Sequence, residues 1–220
     1  MSSVYSELGH RPPFDDRPWV SINMVATIDG KTVSGSRDEP VADLGSTVDH
    51  QTMRYLESQS EGVLIGAGSL RATPGLHYDK GLVRFVATRS GDLDYGSRFF
   101  SDCPDKAWVL ASSEVRTPEH VRRWPKTGPM AWTDTLLWMR RDLSIGQLMV
   151  EGGSELNADL IREDLVDELF LTIAPVVKLG RNIPTYAGGG PLSKNDLLRF
   201  NLVSTIPIGN EVFLRYQRCR

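Results

Sequence analysis

Short apolar runs alternate with amphipathic stretches along most of this chain, and that alternation restricts it to a small set of folds. From Trp19 the run WVSINMVAT puts Val20, Ile22, Met24 and Ala26 on one face of a strand, and Asp29-Gly30 ends it in a turn. A polar, glycine-bearing loop over 34–46 leads to a helix around 48–58, and residues 63–65 form a short buried strand. Residues 82–88 and 107–112 are two further strands. Helices are expected over 117–124 and 134–142, ahead of a strand at 146–150 and a helix starting at Ser154. The run DELFLTIAPVV then reads as a strand, the loop LGRNIPTYAGGGPL follows, and EVFLRYQ is an edge or hairpin strand. Strands interleaved with helices predict a three-layer α/β domain with a mainly parallel central sheet and an antiparallel edge at the C-terminus. Residues 1–18 carry Pro12, Pro13 and Pro18 without periodicity and read as an arm outside the core, leaving 19–220 as one domain.

A chain of 220 residues can bury roughly 70% of its unfolded surface, enough for a sizeable core. Its 25 Lys and Arg against 28 Asp and Glu give a formal charge of −3 with no basic stripe, which argues against nucleic acid as a partner. No N-terminal apolar segment resembles a signal peptide or a membrane span, and Cys103 and Cys219 lie far apart, so the cytoplasm is the default and no membrane partner is expected. His10, His50, His77 and His120 are not paired at ligand spacing and are not near a cysteine pair, so no metal is expected. The chain also lacks a Gly-x-Ser-x-Gly elbow and a Walker-type loop, which sets aside two common enzyme classes.

Two glycine turns remain. Gly66-Ala67-Gly68-Ser69 and Glu151-Gly152-Gly153-Ser154 each follow a strand, where backbone N–H groups at a helix start can hold a phosphate. Either turn alone is explained by glycine's backbone freedom. Two of them at the carboxyl ends of parallel strands point to a nucleotide cofactor, although no Gly-x-Gly-x-x-Gly is present. In ATIDGKT, Lys31 follows a turn that could simply be exposed, and Glu151 could be a strand-end carboxylate that caps the next helix. Drawn into one cleft, the two could polarise a carbonyl or imine and stabilise the charge that changes on hydride addition.

The segments RPWVSINMVATIDGKT, EGVLIGAGSLRATPG, LMVEGGSELNADLIREDLVDELFLTIAPVVKLG and EVFLRY together resemble the reductase domain of the riboflavin-biosynthesis deaminase–reductase family, over about residues 18–217. The resemblance implies a dihydrofolate reductase-like fold. It also implies NADPH-dependent reduction of the ribosyl group of a 5-amino-6-(5-phosphoribosylamino)pyrimidine to ribityl, and suggests a homodimer through the late strands. Carried over on the motifs, Lys31 and Glu151 would face the sugar carbon that receives hydride, and Asn23, Thr27 and Asp29 would shape the substrate pocket, with Thr73 and Lys80 also at the substrate. Val25, Gly66, Gly68, Ser69, Gly152, Gly153, Ser154, Glu155 and Leu156 would hold NADPH. Thr88, Arg89 and Ser90 would meet its adenosine end, with Arg89 suited to the 2′-phosphate.

Two positions depart from the family pattern. Thr73 stands where an acid is usual, and Glu57 stands where an arginine for the substrate phosphate is usual; Arg54, Arg71, Lys80 or Arg84 could supply that charge instead. These departures keep open the same fold acting on another pterin-like or carbonyl compound. A nucleotide-binding protein without catalysis would keep both glycine turns but would not need Lys31 beside Glu151.

Overall fold

The computed structural model describes residues 4–5, 7–9, 11–36, 43–126 and 128–220, so part of the 34–46 loop lies outside the described residues. In chain order the elements are β1 (Trp19–Thr27), α1 (Thr47–Ser58), β2 (Gly62–Gly66), α2 (Ala67–Ala72), β3 (Val83–Ala87), α3 (Arg98–Ser101) and β4 (Ala107–Leu110). There follow β5 (Arg122–Arg123), α4 (Trp132–Asp142), β6 (Gln147–Val150), α5 (Ser154–Arg162), β7 (Glu168–Ala174), β8 (Phe200–Ile208) and β9 (Glu211–Arg218). Among the described residues nine strands make one sheet in the order β5-β4-β3-β2-β6-β1-β7-β9-β8. Every pairing from β5 to β7 is parallel, and β9 and β8 add as an antiparallel hairpin on β7, as the sequence predicts for the C-terminal edge.

Alternation within the strands divides the core into two layers around the sheet. Ile22, Leu64, Phe85, Leu148 and Val150 turn to one face and pack with Leu136 and Met139 of α4 and Leu156 and Leu160 of α5. Val63, Ile65, Val86 and Val109 turn to the other, under Leu70 of α2 and Phe99 and Phe100 of α3. On that second face Met149, Phe170 and Phe213 also meet Leu56 of α1. The start of α1 is fixed by Ser46, whose hydroxyl accepts from the N–H groups of Val48 and Asp49 while its own N–H donates to Glu211 on β9 at 2.8 Å.

Several expectations need correction. Residues 117–124 are not a helix: Val121 N–H closes a turn on Pro118 O, Arg122 and Arg123 run parallel to β4, and Trp124 N–H donates to Val109 O. Pro125 disfavours helical backbone at Trp124, and docking the Trp124 indole in the core with the backbone N–H on the ladder is the alternative the chain takes. Residues 67–72 are the helix α2 and not a turn, so only Gly66 serves as the junction. The strand β8 and the short helix α3 had no counterpart in the sequence reading. The run from Asp167 keeps strand pairing only to Ala174, and Val176 and Val177 beyond it are exposed. The described residues of the arm form no helix or strand, yet Tyr5 and Leu8 are buried, with the Tyr5 ring 4.9 Å from that of Phe170, so the arm is not wholly outside the core.

Candidate active site

The strand β6 is laid down after β5, when the chain returns across the sheet to enter between β2 and β1. Its carboxyl end is therefore flanked by the carboxyl ends of two other parallel strands, the place where open α/β sheets bind ligands. Glu151 N–H donates to Leu64 O at 3.0 Å, which holds the residue at the end of the ladder. Because Val150 faces α4 and α5, Glu151 turns to the opposite side with Met149, toward α1. The register Ile22↔Val150 sets Asn23 of β1 level with Glu151 on that same face, and Val25 and Thr27 follow two and four residues on.

The two glycine turns touch. Gly66 N–H donates to Gly152 O at 2.6 Å, and a Cβ on Gly66 would come within 3.1 Å of Gly153 N. A Cβ on Gly153 would come within 2.9 Å of Ser69 Oγ. Neither Gly66 nor Gly153 can cap the helix it precedes with a side chain, so the first N–H groups of α2 and α5 are left for another acceptor. Gly152 has φ +76°, and a Cβ there would lie 3.0 Å from Met24 Sδ. Gly152→Ala should therefore lower stability by about 1–2 kcal/mol in thermal unfolding, and an unchanged melting temperature would show that the turn adapts freely.

The remaining predicted residues are not all brought to this point. Thr27 and Asp29 serve the loops: the Asp29 carboxylate accepts from Thr27 Oγ1 at 2.6 Å and from the N–H groups of Lys178 and Leu179 at 3.0 and 2.8 Å. The Thr27 hydroxyl first, then these backbone donors, hold that carboxyl down to about 2. Lys31 forms a bridge with Thr185, and its Nζ is 3.5 Å from Ile183 O. Among the described residues no hydrogen bond or ion pair joins Lys31 to Glu151. Ser154 O accepts from Gly188 N–H, so the 179–192 loop lies over the start of α5, where Glu155 and Leu156 follow. Thr88 is buried and accepts from Gly91 N–H through its hydroxyl, whereas Arg89 and Ser90 are exposed just past the carboxyl end of β3. Thr73 ends α2, and Lys80 is exposed three residues before β3, with no side-chain hydrogen bond or ion pair among the described residues.

What surrounds the Glu151 carboxyl was only partly foreseen. Tyr78 Oη, from the loop after α2, donates to Glu151 Oε2 at 2.7 Å, and no sequence pattern had singled Tyr78 out. Glu57 reaches the same carboxyl from α1, and Arg54, one turn earlier, pairs with Glu57 Oε2 at 2.9 Å. The departure at position 57 thus lies against the proposed catalytic acid. Burial first, then the charge of Glu57, push the Glu151 carboxyl up to about 8, with Tyr78 and Arg54 working against the rise. Tyr78, buried and beside this carboxyl, is held well above the usual phenol range. Among the described residues no cluster of His, Cys, Asp and Glu could hold a metal, and no helix is long and apolar enough to cross a membrane.

With that geometry in view, comparison with known proteins is specific. A 2,5-diamino-6-ribosylamino-4(3H)-pyrimidinone 5′-phosphate reductase of Aquifex aeolicus is 28% identical over 221 residues, covering 92% of this chain and 97% of that protein. RibD of Acinetobacter baumannii superposes with a TM-score of 0.77 at 18% identity, covering 93% of this chain and 59% of its own. Dihydrofolate reductase of Enterococcus faecalis superposes with a TM-score of 0.56 at 11% identity, covering 91% and 96%. The last two likenesses establish a dihydrofolate reductase-like fold. The RibD C-terminal domain family matches residues 18–214, and this chain belongs to that family.

Proposed function

We propose that this chain is an NADPH-dependent reductase that converts the ribosyl group of 5-amino-6-(5-phosphoribosylamino)uracil, or of its diamino-pyrimidinone analogue, to ribityl in riboflavin biosynthesis. The observation that carries the reading is the Glu151 carboxyl at the carboxyl end of β6, held by Tyr78 Oη at 2.7 Å beside two glycine-led helix starts, where burial raises it toward the protonated form. The site fits a dinucleotide phosphate: Gly66 and Gly153 let the two turns come into contact, Gly68 faces open space, and the uncapped N–H groups beyond the turns suit a pyrophosphate. Ser69 and the 152–156 turn would hold that part, and Thr88, Arg89 and Ser90 the adenosine end. When bound, the cofactor would supply hydride to the sugar carbon. The chain's own part is to hold that carbon and to provide a proton, from Glu151, to the ring oxygen or nitrogen that gains the electron pair. Asn23, level with Glu151, would orient the substrate, and Lys31 on the rim would bring a cation toward it.

The test is NADPH oxidation measured in parallel with the pyrimidine riboside phosphate and with dihydrofolate. Turnover of the riboside alone supports the proposal, and turnover of dihydrofolate alone overturns it in favour of the pterin-like alternative. Among the described residues Arg89 pairs with no carboxylate, which leaves its guanidinium free for a 2′-phosphate. Arg89→Ala should narrow the preference for NADPH over NADH by about 1–3 kcal/mol, read from the two dissociation constants. Equal affinities in the unaltered protein would remove Arg89 from the site. Leu202 and Val203 on the edge strand β8 are exposed, which supports a homodimer through the late strands.

A further inference from the structure

The carboxyls of Glu57 and Glu151 face each other with one oxygen of each shielded from water. Glu57 is 6% exposed, and its Oε2 is taken by Arg54. Glu151 Oε2 is taken by Tyr78. The other oxygen of each, Glu57 Oε1 and Glu151 Oε1, is buried and finds no donor among the described residues, although the two side chains lie within hydrogen-bonding reach of each other. Two carboxylates in contact cannot both ionise, and a buried acceptor without a donor is costly. One proton placed between the two orphaned oxygens removes both penalties at once.

We propose that Glu57 and Glu151 share a single proton between their Oε1 atoms, so that Glu57 is the positioning residue that keeps Glu151 charged with a proton for transfer to substrate. The facing groups are Glu57 and Arg54 from α1 and Tyr78 from the loop after α2; β2 offers Glu151 only the backbone of Leu64. Their arrangement sets the balance. Tyr78 stabilises charge on Glu151, Arg54 stabilises charge on Glu57, and the pair as a whole carries one negative charge beside one guanidinium. In transfer the shared O–H bond breaks and an O–H or N–H bond forms on the substrate atom that receives the electron pair as the neighbouring carbon takes up hydride. The dyad then bears two negative charges beside Arg54 and regains its proton from solvent. This deepens the reductase reading and rests on it for the identity of the acceptor, but the shared proton itself belongs to the protein without ligands.

The test is therefore made first without cofactor or substrate, by following the infrared C=O band of protonated carboxyl groups against pH. The native protein should keep a band through neutrality that titrates near pH 8. Glu57→Gln should move that midpoint down by about one pH unit or more, because the repelling charge is gone and the amide can donate to Glu151. Tyr78→Phe should move it up, because a donor to the carboxylate is lost, and Glu151→Gln should abolish it. Opposite shifts from two substitutions of similar shape are not expected of residues that merely fill space, and circular dichroism confirms that each variant is folded. Absence of the band from native protein at pH 7, or a midpoint that Glu57→Gln leaves in place, overturns the proposal. With riboside as substrate, the alkaline limb of turnover should follow the same midpoints. A normal band with no turnover of riboside supports the shared proton and counts against the reductase reading alone.

Discussion

Glu151→Gln should retain the fold and bind cofactor nearly as before, yet lower turnover of the riboside about 100-fold, the rate equivalent of a lost transition-state interaction of ~3 kcal/mol. Glutamine keeps the shape and can accept from Tyr78, and its amide can donate to the otherwise orphaned Glu57 Oε1. What it lacks is a transferable proton. The same substitution should change the dependence of stability on pH, and the sign follows from linkage. Because burial and the Glu57 charge raise the folded-state value from 4.5 to about 8, the unfolded chain releases its proton first as pH rises. The contribution of Glu151 is therefore fully present below about pH 4.5 and is lost progressively up to pH 8. Each pH unit in that window is worth up to about 1.4 kcal/mol, so the Gln variant should be the more stable protein at pH 8 and lose its advantage in acid. Denaturant unfolding at several pH values checks this. A variant that turns over normally would reduce Glu151 to a strand-end residue, and parallel stability profiles would show that the carboxyl is ionised in the native protein.

The parts of this site that could be read from the chain are those written in consecutive residues. Alternation gave β1, short apolar runs gave β2, β3, β4 and β6, and the glycines after β2 and β6 marked the junctions that do come into contact. Residue spacing carries no such information about Tyr78, which reaches Glu151 across 73 positions from a loop with no periodicity. Glu57 was visible as an oddity, but its meaning depends on the face that α1 turns to β6, which only packing decides. Lys31 is the opposite case. Adjacent to a turn and chemically suitable, it reads as the partner of Glu151, whereas the bridge to Thr185 carries its backbone along the 179–192 loop. The strand β8 escaped because its residues are largely exposed and the apolar alternation breaks at Leu202-Val203 and Ser204-Thr205, where the register shifts; pairing with β9 rather than burial makes it a strand. Two buried anchors in the arm, Tyr5 and Leu8, are too few to form a pattern.

That arm gives the largest expected effect on stability. Glu168 of β7 is fully buried and accepts from Arg215 Nε at 2.6 Å and Gln217 Nε2 at 3.1 Å, with Arg11 of the arm 3.7 Å away. Arg215, only 5% exposed, also donates to the carbonyl oxygens of Glu7 and Leu8. Glu168→Ala would leave the Arg215 guanidinium buried without its counter-charge, a change that costs about 3–5 kcal/mol and should lower the melting temperature by roughly 6–20 °C. The arm should loosen with it, since its anchoring carbonyls are held by the same guanidinium, and Tyr5 should become a site of chymotrypsin cleavage. Glu168→Leu combined with Arg215→Met separates the two causes. It removes both charges of that pair, leaving only Arg11 without its more distant partner, so it should recover part of the stability lost in the single variant. It cannot restore the bonds to Glu7 and Leu8, so Tyr5 should stay open to cleavage. If the double variant instead closes the arm again, then Tyr5 and Leu8 are held by their apolar contacts with Phe170 and its neighbours, and the ion pair serves only to neutralise itself.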